Sequence, residues 1–404
     1  MRTSPPALRV AEELSEDRPH IQRFAVRYEY PVWFTSDLFD PVNRVLADAI
    51  TRMEPDRRHR FVVFIDDGVA KGWPGLPAKI AAYAARHHAA LELLAAPETV
   101  PGGEAAKKNP ALVESLQRRL LDLEFDRHSF VVAIGGGAVL DTVGYVAATT
   151  HRGIRLIRVP TTVLAQNDSG IGVKNGVNAF GVKNFAGTFA PPFAVINDIR
   201  FIETLSARDK IAGIAESVKV ALIRDEAFYH WLDANVAKLC AFDHAAMSYM
   251  IRRGAELHMH QIAYGGDPFE TGSARPLDYG HWSAHKLEVL TGHALRHGEA
   301  VAIGMALDAR YSAQTGLLAA GQELRICGLL ERLGFRLWHP AMEITTATGR
   351  PVLLEGLREF REHLGGELTV TLLTGIGHGV EVHRVDEAEM LRAVDWLKAR
   401  DAAR

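Results

Sequence analysis

Ser129-Phe-Val-Val-Ala-Ile-Gly-Gly-Gly-Ala-Val-Leu-Asp141 is the stretch on which the fold turns. Six apolar or small residues end in three glycines, and an apolar helical pattern, Ala138 to Thr149, follows with Asp141 in its first turn. A buried strand that runs straight into a helix through Gly135, Gly136 and Gly137 brings bare backbone and a helix N-terminus to one point. Such a turn can lie against a pyrophosphate. It is not a GxGxxG fingerprint, and a plain strand-to-helix turn would use the same residues.

Outward from this turn the alternation continues. Phe61-Val-Val-Phe-Ile-Asp-Asp67 is another apolar run, with acids at its carboxyl end, where a buried parallel strand delivers polar groups to a ligand crevice. Helix 76–88, strand 90–94, helix 109–123 and strand 155–159 complete a doubly wound α/β pattern. Ahead of it, Phe24 to Phe34 reads as an aromatic strand pair and Asp40-Pro41 as the start of a helix to about Met53. Val100-Pro-Gly-Gly-Glu-Ala-Ala-Lys107 is a second glycine turn, with Glu104 and Lys107 behind it. From Gln166 to Pro192 the chain is too polar and glycine-rich for core, and it reads as a long irregular, functional segment. Asp168, Lys174, Lys183 and Asn184 in it suit a polyhydroxylated anionic ligand.

Near residue 205 the character changes to helices, 207–223, 226–239, 244–262, 278–290, 297–315, 319–333, 352–363 and 387–398, with one strand at 368–373. The expectation is a leader over 1–20, an α/β domain over 21–205 and a mainly helical domain over 206–404. A chain of 404 residues with 48% hydrophobic content can bury two such cores. The net charge of -3 argues against nucleic acid or an anionic membrane as a partner. Cys240 and Cys327 read as thiols of a reducing compartment, and the leader lacks the apolar core of a signal peptide. These features point to the cytoplasm.

Within the helical half, Leu277-Asp-Tyr-Gly-His-Trp-Ser-Ala-His-Lys-Leu-Glu288 puts His281 and His285 one turn apart, and His297 opens the next helix. Ala215-Glu-Ser-Val-Lys219 sets Glu216 and Lys219 on one face of an otherwise apolar helix. Imidazoles converging with a carboxylate suggest a divalent metal site, zinc above all; the alternatives are histidines spaced by chance and an ordinary exposed ion pair.

Taken together and in order, the triple glycine with Asp141, Pro160-Thr-Thr162, Asp168 to Lys174, Lys183-Asn184, Ala215 to Lys219, Gly280-His281, His285 and His297-Gly-Glu299 resemble 3-dehydroquinate synthase and the wider sugar phosphate cyclases, over roughly 60–315. The resemblance implies an NAD-binding α/β domain, a helical metal-binding domain, a homodimer and a site between domains. It implies Glu216, His281 and His297 as ligands of a divalent metal, zinc or cobalt. Asp66, Glu104, Lys107, Gly135, Gly136, Gly137, Asp141, Thr161, Thr162 and Lys183 become NAD contacts. Asp168, Lys174, Asn184, Lys219 and His285 become substrate contacts, and Arg152 the arginine that reaches a neighbouring subunit's phosphate. The implied chemistry is transient oxidation of a ring alcohol, β-elimination of phosphate, re-reduction, ring opening and aldol closure of a seven-carbon ketose phosphate.

The match departs from the dehydroquinate enzymes where the substrate's carboxylate and phosphate are read. Asp278 stands where they have asparagine, Arg275 is displaced by one position with Ala274 in its place, His260 replaces a lysine, and Phe360-Arg361-Glu362 replaces a late lysine pair. Asp278 and the isolated Val-Lys of Gly172-Val-Lys174 resemble cyclases acting on sedoheptulose 7-phosphate. His285 resembles the dehydroquinate enzymes. A glycerol-type, metal- and NAD-dependent alcohol dehydrogenase is the alternative reading, and a non-catalytic binding descendant a more distant one.

Overall fold

The computed structural model describes residues 19, 21–180, 182–272, 276–363 and 367–404. The leader at 1–20 is, apart from residue 19, outside the described residues, and so are Ala274 and Arg275. One sheet of seven parallel strands forms the first half: β1 Val32–Thr35, β2 His59–Asp66, β3 Leu91–Leu93, β4 Glu98–Val100, β5 Phe130–Gly135, β6 Arg155–Pro160 and β9 Ala194–Asp198. Its order is β1-β9-β6-β5-β2-β3, and β4 also pairs with β2 beyond β3. The chain leaves β2 toward β3 and β4 on one side and returns to β5 on the other. This is the topological switch point, and the register Ile65↔Ile134 brings Asp66 level with Gly135 at the carboxyl ends.

β5 is buried on both faces, as its unbroken apolar run requires of a central parallel strand. Helices α1 Val45–Thr51, α2 Asp67–Gly72, α3 Leu76–Arg86, α4 Glu104–Lys107, α5 Pro110–Asp122 and α6 Gly137–Thr149 join the strands, and two apolar clusters fill the two sides of the sheet. The antiparallel hairpin β7 Lys174–Ala179 and β8 Val182–Phe189 projects between β6 and β9.

The second half is helical: α7 Ala207–Arg224, α8 Glu226–Ala234, α9 Val236–Cys240, α10 His244–Tyr264, α11 His281–Leu290, α12 His297–Gln314, α13 Gln322–Arg332, α14 Glu355–His363 and α15 Glu387–Ala402, with a small hairpin, β10 Val370–Gly375 and β11 His378–Val382. α12 is apolar nearly all round beyond its first turn and buried from Ala300 to Ala309, as befits the central helix of a bundle. No helix among the described residues is long and apolar enough to cross a membrane. Cys240 and Cys327 are free thiols.

Several expectations are corrected. Residues 24–31 make no strand pair; only β1 forms, and its partner is β9, a strand too short to stand out in the sequence. The helix expected from Asp40 starts at Val45, because Asp37 to Asn43 is a run of turns in which Asn43 caps the Val45 amide at 2.9 Å. The segment 166–192 is not irregular: it is one π turn, Ala165–Ser169, followed by the β7–β8 hairpin. The helix expected from Asp278 begins at His281, since Gly280 holds a left-handed φ of 77°. The helix over 226–239 breaks at Asn235.

Candidate active site

Three helices each supply one group to a single point. Glu216 comes from the middle of α7, His281 from the first residue of α11 and His297 from the first residue of α12. Close approach makes this possible: a Cβ on Gly298 would overlap the Ala212 carbonyl of α7, and one on Gly280 would sit 2.7 Å from the Met305 amide of α12. The buried Asp308 carboxylate accepts from the Gly280 amide at 3.1 Å and from Trp282 Nε1 at 2.9 Å, which pins the start of α11.

The three donor atoms lie within 4.8 Å of one another. Glu216 Oε1 is 3.2 Å from His297 Nε2 and 3.9 Å from His281 Nε2. His281 Nδ1 faces the Tyr279 carbonyl at 3.1 Å, and His297 Nδ1 faces Glu288 Oε2 at 3.2 Å. Both partners only accept, so each Nδ1 donates there and each Nε2 is left facing Glu216. Both Glu216 oxygens are buried without a well-formed hydrogen bond, although the Lys219 ammonium stands 2.6 Å from Oε2. Two imidazole nitrogens converge on a buried carboxylate oxygen, and a divalent cation bound by two nitrogens and an oxygen fits that donor set.

The electrostatics agree. Burial would raise the Glu216 pKa, but Lys219, with His297 and His281 alongside, brings it down to about 2. His297 is buried too, yet Glu216 and Glu288 on its two sides push it up to about 9, so its position calls for a cation. His281 is pushed down by burial and by Lys219.

Next to this point runs a second set. Lys219 Nζ is 3.6 Å from Asp168 Oδ1, which also meets His258 Nδ1 at 3.0 Å. Burial opposes the charge on Asp168, but Lys219 and His258 hold its carboxyl well below the usual range. Burial likewise disfavours the Lys219 ammonium, which Asp168 and Glu216 restore. Asn167 ties the π turn bearing Asp168 to α7 through Ser217 Oγ at 2.9 Å. The fully buried Arg158 holds the following loop through the Gly172 and Lys174 carbonyls, each at 2.7 Å. Asp278, largely enclosed, stays ionised against burial through His281, Lys174 and Lys219. His285 opens to solvent on one edge; crowding around the rest of its ring, then His281 and Lys183, lower its pKa to about 3.

The glycine turn forms a third set at the switch point. Asp66 Oδ1 accepts from the Gly68 amide at 2.8 Å and caps α2, and burial raises its pKa. α6 begins after Gly136 with no side-chain cap, which leaves its first amides open to an anion. A Cβ on Gly136 would come 3.2 Å from Thr162 Cγ2, and one on Gly137 would come 2.7 Å from Ser169 Oγ. The cradle is shaped for something to lie against bare backbone. The Thr161 amide donates to the Gly135 carbonyl at 3.0 Å. The buried Lys107 pairs with Asp141 and donates to Asn184 Oδ1 at 2.7 Å, while Glu104 accepts from Asn178 at 3.1 Å.

Some expected residues stand elsewhere. Asn184 joins Lys107 and Asp141, not the Asp168 set. Lys183 meets Glu288 of α11 at 3.1 Å instead of the glycine turn. Lys174 pairs with Glu270 at 2.6 Å at the rim. Arg152 is exposed beyond the far end of α6, about 20 Å of helix away from Gly137. His260 is corrected: its ring lies tilted against Tyr264, centroids 4.9 Å apart, and faces a groove with Arg253, Glu256 and Glu381, away from Asp168. The inward histidine of α10 is His258, and the helical period could have found it, since 247, 251, 254, 255 and 258 fall on one stripe. Glu288 was also missed, although 281, 285 and 288 share a face.

Family models described as 3-dehydroquinate synthase N-terminal and 3-dehydroquinate synthase C-terminal match residues 98–212 and 213–351. The chain belongs to the 3-dehydroquinate synthase family. Among its relatives, 2-epi-5-epi-valiolone synthase of Streptomyces glaucescens is 35% identical over 382 residues, 92% of each chain. A 3-dehydroquinate synthase of Xylella fastidiosa is 37% identical over 318 residues, 76% of this chain and 84% of that one. The structure of 2-epi-5-epi-valiolone synthase from Streptomyces hygroscopicus subsp. jinggangensis, with NAD+ and Zn2+ bound, matches with a TM-score of 0.83 at 28% identity, over 95% of this chain and 100% of that one. The family thus includes sugar phosphate cyclases of more than one product, and its fold is the one described above.

Proposed function

We propose that this chain is an NAD- and divalent-metal-dependent sugar phosphate cyclase, a phosphate-eliminating carbon–oxygen lyase, acting on a seven-carbon ketose phosphate that lacks a carboxylate, of the sedoheptulose 7-phosphate kind. The observation that carries the reading is the Glu216–His281–His297 set joined through Lys219 to Asp168 and His258. Glu216, His281 and His297 hold the cation, zinc or cobalt. Asp66, Glu104, Lys107, Gly135, Gly136, Gly137, Asp141, Thr161 and Thr162 bind and orient NAD. When bound, the metal supplies Lewis acidity at a substrate oxygen and NAD supplies a reversible hydride acceptor.

The side chains do the rest. Lys219 and Lys174 set positive charge where phosphate and hydroxyl oxygens bind. Asp168, kept ionised, accepts a hydroxyl hydrogen, and His258 on its Oδ1 can hold or return that proton. His285, kept neutral, offers its ring as a hydrogen-bond partner to a substrate oxygen. Arg152, remote from its own site, serves the phosphate of a second copy in a homodimer, and Arg275 lies just before Asp278 in the chain.

Asp278 supports the choice of substrate. An ionised carboxylate in a partly dry cleft repels a second carboxylate. Unpaired thiols at Cys240 and Cys327 suit a cytoplasmic enzyme. We place the division between the α/β domain, 21–205, and the helical domain, 206–404, at residue 205.

The test is inorganic phosphate release from sedoheptulose 7-phosphate and from 3-deoxy-arabino-heptulosonate 7-phosphate, with absorbance of NADH followed in parallel. Phosphate should be released without net NADH, faster from the first sugar. NADH accumulating mole for mole with substrate would replace the cyclase by a dehydrogenase of the glycerol type.

A further inference from the structure

Glu288 is buried on α11, two turns after His281, and its carboxylate is shared by two partners. Oε2 accepts from His297 Nδ1 at 3.2 Å, and both oxygens lie 3.1–3.2 Å from the ammonium of Lys183 on β8. One side chain of the helical half therefore holds both a metal-ligand candidate and the hairpin that projects from the α/β half. Burial opposes its charge, but His297 and then Lys183 bring its carboxyl well below the usual range.

We propose that Glu288 is a positioning residue with two linked effects: it fixes the tautomer and direction of His297 for cation binding, and it docks the β7–β8 hairpin over the site through Lys183. The physical ground is that an imidazole whose Nδ1–H is held by a carboxylate presents Nε2 in one direction and is the more basic donor there. The Lys183 ammonium 3.1 Å away also disfavours a second cation at His285, Glu288 and His297, whose donor atoms likewise lie within 4.8 Å of one another. The inference rests on the reading of His297 as a ligand.

The experiment uses the full chain as Glu288→Ala, Glu288→Gln and His297→Ala, with thermal melting as a check on folding. Zn2+ affinity is measured by competition with a chromogenic chelator, and amide exchange is followed over residues 174–189. Glu288→Ala should weaken Zn2+ binding about 10- to 100-fold. Glu288→Gln keeps an acceptor for Nδ1–H and should lose no more than about fivefold. Both should speed exchange in the hairpin, because both remove the charge that holds Lys183. Should the alanine variant melt early, the glutamine variant carries the hairpin arm by itself. Wild-type Zn2+ affinity in a folded Glu288→Ala, or unchanged hairpin exchange in both variants, would overturn the proposal. If His297→Ala also kept its Zn2+, the ligand reading itself would fail. Loss in His297→Ala alone would remove only the role of Glu288.

Discussion

His297 Nε2 lies 3.2 Å from Glu216 Oε1 while the opposite edge of the same ring meets Glu288. An imidazole between two carboxylates suits a bound cation by charge, and we read His297 as one of its ligands. Replacing it with alanine should remove one of three donors and leave α12 helical, since alanine is a good helix former. We expect His297→Ala to lose more than about 100-fold in metal affinity, beyond the usual cost of a supporting residue, and to lose phosphate release with it. Metal analysis and a melting curve on the same sample check this; tightly held stoichiometric metal in the variant would contradict it.

The Gly136 position should tolerate no branched side chain. A valine would crowd Thr162 and fill the space over the α6 amides, at a cost of about 1–3 kcal/mol before any clash with a dinucleotide is counted. Gly136→Val should weaken NAD binding by at least about tenfold, measured by fluorescence titration, with the metal still bound. NAD affinity equal to wild type would place the dinucleotide elsewhere.

Asp278 should govern substrate choice. At an effective dielectric near 20, two like charges about 5 Å apart repel by roughly 3 kcal/mol. Asp278→Asn should therefore raise kcat/KM for 3-deoxy-arabino-heptulosonate 7-phosphate relative to sedoheptulose 7-phosphate by about 10- to 100-fold. Efficient dehydroquinate formation by the wild type, unimproved by asparagine, would show that Asp278 does not face the substrate.

Asp308 gives a pH dependence of stability. Burial without a counter-charge raises its pKa from 3.8 to about 7, against the lowering effect of Trp282 and Gly280. A carboxyl that binds its proton more tightly when folded contributes stability fully below pH about 4, and the contribution is lost as pH rises through about 7. Asp308→Asn removes the titration. Urea unfolding should show the variant gaining on wild type by on the order of 2–4 kcal/mol between pH 5 and pH 8. An unchanging difference would mean that Asp308 titrates normally.

The sequence by itself determined the alternating α/β half, the strand that ends in Gly135, Gly136 and Gly137, the change to helices near residue 205, and the acid and two histidines that converge between three helices. These are properties of period, of glycine and of residue type, all local. Only the tertiary structure decided what each face meets. It turned His258 inward and His260 outward, two neighbours on one helix separated by 200° of rotation. It gave Lys183 to Glu288 and Asn184 to Lys107, although the two residues are adjacent, because successive side chains of a strand leave opposite faces. It made a hairpin of a polar, glycine-rich segment whose bonds run between its own two strands, and it used β9, five buried residues, to join β6 to β1. Pairings of this kind depend on chain segments far apart in sequence, and no local pattern encodes which buried surface a given face will find.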